Sequence, residues 1–96
     1  MIAINDAALL KNQAWIDGQW TDAGSGDTIT VTNPADGSTV GNVPSLSAEE
    51  TRAAIAAADK AFEKWRSLTA KERSAYLMKW YELMMAHQED LAVILT

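Results

Sequence analysis

Few side chains in this sequence could move protons. His87 is its single histidine, and Glu89 and Asp90 follow almost at once. A histidine titrates near neutral pH and can serve as general base when a nucleophile and an orienting carboxylate are within reach. Here all three residues fall on one predicted helix, where successive side chains diverge by about 100° and do not converge on one atom. The adjacent pair Glu49-Glu50 fails as an acid–base pair for the same reason, and its place at the start of an apolar-periodic run suits helix capping and the helix dipole. His87 is expected to be a partly buried packing residue held by one hydrogen bond, and the carboxylates to form a solvated face. No catalytic, cofactor-binding or metal-ligating residue is assigned.

Cysteine is absent, which removes disulfides, thiolate metal sites and a thiol nucleophile from these 96 residues. The glycines at 18, 24, 26, 37 and 41 fit neither a dinucleotide fingerprint nor a P-loop. Gly24-Ser25-Gly26 has the opening of such a fingerprint but no helix behind it, and reads as a loop. Thirteen acidic against 8 basic residues leave a formal charge of −5, which disfavours nucleic acid and anionic membrane as partners. The amino terminus has no basic, apolar leader, and no stretch approaches the ~20 apolar residues that cross a bilayer. A soluble, cytoplasmic protein is expected.

The elements that would position these residues fall into two halves, a β-hairpin region over 1–44 and a helical region over 45–96. In Ala14-Trp15-Ile16-Asp17-Gly18-Gln19-Trp20, Asp-Gly separates two apolar-bearing runs, the signal of a two-residue type I′ hairpin. That turn sets Trp15 opposite Trp20. Thr28 to Thr32 alternates at period two, Asn33-Pro34-Ala35-Asp36-Gly37 is turn chemistry, and Ser38 to Val43 returns as a second strand closed by Pro44.

Ser47-Ala48-Glu49-Glu50 and Thr69-Ala70-Lys71-Glu72 both match the capping box and predict two helix starts. Ile55, Ala58, Phe62 and Trp65 form the apolar stripe of the first helix. Tyr76, Trp80, Leu83, His87, Leu91 and Ile94 share a face of the second, widened by Leu77, Met84 and Leu95 beyond what one neighbour needs. This second helix is predicted to run unbroken to the last residue, without a glycine or proline stop signal. A chain cut from a larger one is the expectation, with apolar faces meant for something outside it.

Three segments together carry a resemblance. Ala14 to Trp20, then Val31-Thr32-Asn33-Pro34-Ala35-Asp36-Gly37, then Ala58-Asp59-Lys60-Ala61-Phe62-Glu63-Lys64-Trp65 resemble, in order and spacing, the amino-terminal region of the aldehyde dehydrogenase superfamily. Leu68 to Arg73 and His87 to Ala92 look most like the bacterial succinate-semialdehyde dehydrogenases. The resemblance implies an α+β fragment of an α/β enzyme, two short β-hairpins followed by two long amphipathic helices, forming an incomplete amino-terminal part of an NAD(P)-binding domain. It implies oxidation of succinate semialdehyde or a related aldehyde by a cysteine thiolate with NAD or NADP. The nucleophile, general base and cofactor-binding residues belong to segments outside this sequence, so the chain alone is expected to be inactive and to bind no cofactor. Backbone carbonyls at Val31 and Thr32 match the place where relatives hold a structural monovalent cation. The expected partners are the remainder of the enzyme, or further copies of the chain in a homo-oligomer. The competing reading is a stand-alone helical interaction or self-assembling module without catalysis.

Overall fold

Asp17 and Gly18 both take positive φ, +50° and +75°, the backbone that a type I′ turn demands of its two central residues. The turn joins β1 (Ala14–Ile16) to β2 (Gln19–Thr21) in antiparallel register, with Trp15 opposite Trp20. The two indoles meet as expected, with centroids 5.0 Å apart and planes inclined by 59°. Lys11 Nζ lies 5.3 Å from the Trp20 ring centroid, within cation–π range. A computed structural model describes residues 2–96.

A second antiparallel pair follows, β3 (Thr28–Thr32) with β4 (Thr39–Pro44). The connecting turn is held locally. Asn33 Oδ1 accepts from the Ala35 N–H at 2.9 Å, Asp36 Oδ1 accepts from the Ser38 N–H at 2.9 Å, and Gly37 takes φ +76°. The ladder slips by one residue between Val31, opposite Gly41, and Thr32, opposite Thr39. Pro44 does not lie beyond the strand; it ends it, opposite Thr28.

Both helix starts are built as boxes. Ser47 Oγ and Thr69 Oγ1 accept from the Glu50 and Glu72 N–H groups at 3.1 and 3.2 Å, opening α1 (Ala48–Ser67) and α2 (Ala70–Ala86). Each hydroxyl then donates to the same residue's carboxylate, at 3.1 and 3.0 Å. The carboxylate thus holds the cap side chain in place rather than taking the cap residue's own N–H. Between α1 and α2 the Arg73 guanidinium donates to the Leu68 carbonyl, which fixes the short connection.

The prediction of one unbroken second helix is wrong. The helix stops at Ala86 and restarts as α3 (Gln88–Leu95), giving three helices instead of two. His87 between them sits at φ −111°, ψ 21°, outside the helical basin. The hydrogen-bond ladder survives on both sides, since the His87 N–H donates to the Leu83 carbonyl and the His87 carbonyl accepts from the Leu91 N–H. A single off-helix residue therefore interrupts the helix without leaving its own backbone groups unpaired.

The chain divides into two units, Lys11–Lys60 on one hand, and the segment ending at Leu10 together with Ala61–Thr96 on the other. Neither has a filled core. Ala23 and Asp90, each 6% exposed, are the only buried residues among those described. The accessible surface is 7947 Å², whereas a folded monomer of 10.4 kDa would expose about 5,400 Å². The stripe expected on α1 is open at Ile55 and Phe62, and the α2 face is open at Tyr76, Trp80 and Leu83.

Candidate functional site

Glu49 and Glu50 do not form a pair. Glu49 is exposed, while Glu50 is committed twice, to the Ser47 hydroxyl through Oε1 and to the Gly24 N–H through Oε2 at 3.3 Å. That second contact settles the Gly24-Ser25-Gly26 loop as well. Ser25 Oγ accepts from the Asp27 N–H at 3.2 Å, and the Gly26 N–H donates to the Ala23 carbonyl at 2.9 Å. The Gly26 and Asp27 N–H groups are spent on the turn and that of Gly24 on Glu50, and a carboxylate stands where a phosphate would need positive potential.

His87 is half-buried, as expected, but its ring makes none of the hydrogen bonds found among the described residues, and it marks the junction of two helices rather than a place within a stripe. The solvated-face reading of the neighbouring carboxylates fails for Asp90. Its Oδ1 accepts from the Asn5 N–H at 2.7 Å and its Oδ2 from the Asp6 N–H at 2.9 Å. These two donors, the Asn5 one foremost, hold the carboxyl below its usual pKa; desolvation opposes them and His87 adds a smaller lowering. The partners lie 84 and 85 positions away, so no local pattern could have revealed them. Asn5, Asp6 and residues 85–90 line a shallow cleft of about 430 Å³ at this place. Nothing there is arranged for nucleophilic attack, and among the described residues no group of three His, Cys, Asp or Glu side chains could hold a metal ion. Asp36 is also held below its usual pKa, by the Ser38 hydroxyl first and the Ser38 N–H second, and it serves the β3–β4 turn.

What remains is surface. Trp65 and Tyr76 meet at 5.9 Å, and with Ala61, Lys64 and Leu68 they line an open apolar groove of about 250 Å³. Beside it α2 exposes Trp80, Tyr81, Leu83 and Met85.

The sequence pattern of the Aldehyde dehydrogenase family matches residues 20–96. The chain belongs to that family. Among aldehyde dehydrogenases, it is 56% identical over 93 residues to the glutarate-semialdehyde dehydrogenase of Pseudomonas putida, a match covering 97% of this chain and 19% of that enzyme. It is 54% identical, with the same coverage of both chains, to the NADP(+) succinate-semialdehyde dehydrogenase of Escherichia coli. Its fold superposes on the crystal structure of an aldehyde dehydrogenase from Brucella melitensis biovar abortus with a TM-score of 0.93. That match has 50% sequence identity and covers 98% of this chain and 20% of the other. The chain therefore spans about a fifth of the length of the aldehyde dehydrogenases it matches. Val31 and Thr32 lie at the slip in the β3–β4 ladder. Among the described residues, no helix is long and apolar enough to cross a membrane.

Proposed function

We propose that these 96 residues are a scaffold portion of a semialdehyde dehydrogenase. Such an enzyme oxidises succinate semialdehyde, or a closely related carboxylated aldehyde, to the acid with NAD or NADP. The observation that carries this reading is the 56% identity to a semialdehyde dehydrogenase sustained over 97% of the chain. A second relative at 54% identity acts on the homologous succinate compound with NADP(+). The open faces of α1 and α2 support a structural role, since the family fold has about four-fifths of its length left to lie against them.

The residues present do not fit a dinucleotide. The one glycine-rich loop has its Gly24 donor taken by Glu50, and no helix amino terminus stands behind the loop. The chain also contains no cysteine, so a thiolate attack on the aldehyde would have to come from outside it. On this reading the chain is inactive alone, works in the cytoplasm, and buries its apolar faces against the remaining family fold or against other copies of that assembly.

Complementation tests the proposal. The chain is mixed with a semialdehyde dehydrogenase relative lacking its matching segment, and NADPH formation from succinate semialdehyde is followed at 340 nm. Turnover only when both parts are present is expected. Turnover by the chain alone, or none from the mixture, overturns the reading; saturable binding without turnover would favour a stand-alone interaction module.

A further inference from the structure

Asp90 is one of only two buried residues among those described, and the only charged one. A carboxylate is costly to remove from water unless its lone pairs are met. Here both oxygens are met by consecutive backbone N–H groups, those of Asn5 and Asp6, at 2.7 and 2.9 Å. Charge-assisted bonds to a carboxylate are about twice as strong as neutral ones, and a two-pronged arrangement fixes orientation as well as distance. The donors belong to a segment with no strand or helix ladder of its own before the single turn Ala7–Leu9. That turn is started by Asp6, whose Oδ1 accepts from the Ala8 N–H at 3.0 Å. Asp90 itself stands three residues past the break at His87.

We propose that Asp90 is a latch: its ionised carboxylate fastens the amino-terminal strap at Asn5 and Asp6 to α3. The strap is held by backbone recognition, so the strap's side chains can vary while the acceptor cannot. Glutamate would carry the charge one methylene too far. Asparagine keeps the shape but replaces one acceptor oxygen with a donor that faces a backbone N–H. The charged and titratable groups around the latch are Asp6 on the strap side and His87 and Glu89 on the helix side, all lining the same cleft.

Resting on the proposed function, residue-resolved amide exchange of the chain in complex with a semialdehyde dehydrogenase relative lacking its matching segment, compared with the same complex of Asp90→Asn, tests the latch. In the unaltered chain the Asn5 and Asp6 amides are expected to be protected. In Asp90→Asn they are expected to exchange about tenfold faster or more, the scale of losing a hydrogen bond to a charged group. Amides of α1 and α2 should keep their rates. Asp90→Glu, which retains the charge, should loosen the same two amides. Four results overturn the proposal: no protection at Asn5 and Asp6 in the unaltered chain, equal protection in Asp90→Asn, a loss shared by α1 and α2, or full protection in Asp90→Glu.

Discussion

Leu83→Ala separates the cost of a side chain within this chain from its cost at a covered surface. Leu83 lies on the open face of α2 and is 53% exposed. Fully burying a leucine side chain contributes about 1.5–3 kcal/mol, so at half burial the chain itself gains about 1 kcal/mol from it. Alanine also returns a few tenths of a kcal/mol through its better helix propensity. The truncation should therefore cost the isolated chain about 1 kcal/mol or less. If the rest of the family fold covers this face, the same change creates a core cavity and costs about 2–5 kcal/mol. The difference, roughly 1–4 kcal/mol, should appear as association with the complementary part of a relative weakened by about fivefold to several hundredfold. Titration calorimetry of both forms against that part measures it. Equal affinities for the two forms would refute the assignment of this face as a docking surface.

Three further outcomes follow from local geometry. Gly18→Val forces a β-branched residue to φ +75° and should open the β1–β2 turn at a cost of about 1–2 kcal/mol; the coupled Trp15–Trp20 signal in circular dichroism near 230 nm reports it. Thr69→Ala removes the acceptor of the Glu72 N–H and the support of its carboxylate, and should cost the helix start about 1 kcal/mol, read as lost helix signal at 222 nm. The contribution of Asp90 to strap anchoring has a definite sign with pH. Its folded pKa is depressed, so anchoring is complete above the ordinary carboxylate value and is lost as pH falls through the lower folded one. An acid titration of the Asn5 and Asp6 amide resonances should show that order, and a midpoint above the ordinary aspartate range would contradict it.

The elements legible in the sequence are those whose cause is local. Asp17-Gly18 can occupy a type I′ turn because both residues tolerate positive φ, and with the turn came the register and the indole pair. Ser47 with Glu50 and Thr69 with Glu72 announced the helix starts because a cap and its partner are three residues apart. The break at His87 had no such sign. Ala86, His87 and Gln88 contain no proline or glycine, and the apolar spacing continues through them into Leu91 and Ile94. Helical periodicity reports faces, and a single residue at ψ 21° interrupts the helix without disturbing the spacing. Asp90 was misread for a related reason. Beside Glu89 it looks like surface charge, and only a fold that returns residues 5 and 6 to its side makes it an acceptor.

These hairpins and helices leave about 2,500 Å² more surface open than a folded monomer of this mass exposes, and on the proposed function the rest of an aldehyde dehydrogenase covers it. Scanning calorimetry of the purified chain at two concentrations tenfold apart addresses it directly. The account predicts no cooperative heat-absorption peak from the lone chain, and a peak only when a complementary part or self-association covers the apolar faces. A sharp two-state transition from a monomer, unchanged between the two concentrations, would contradict it.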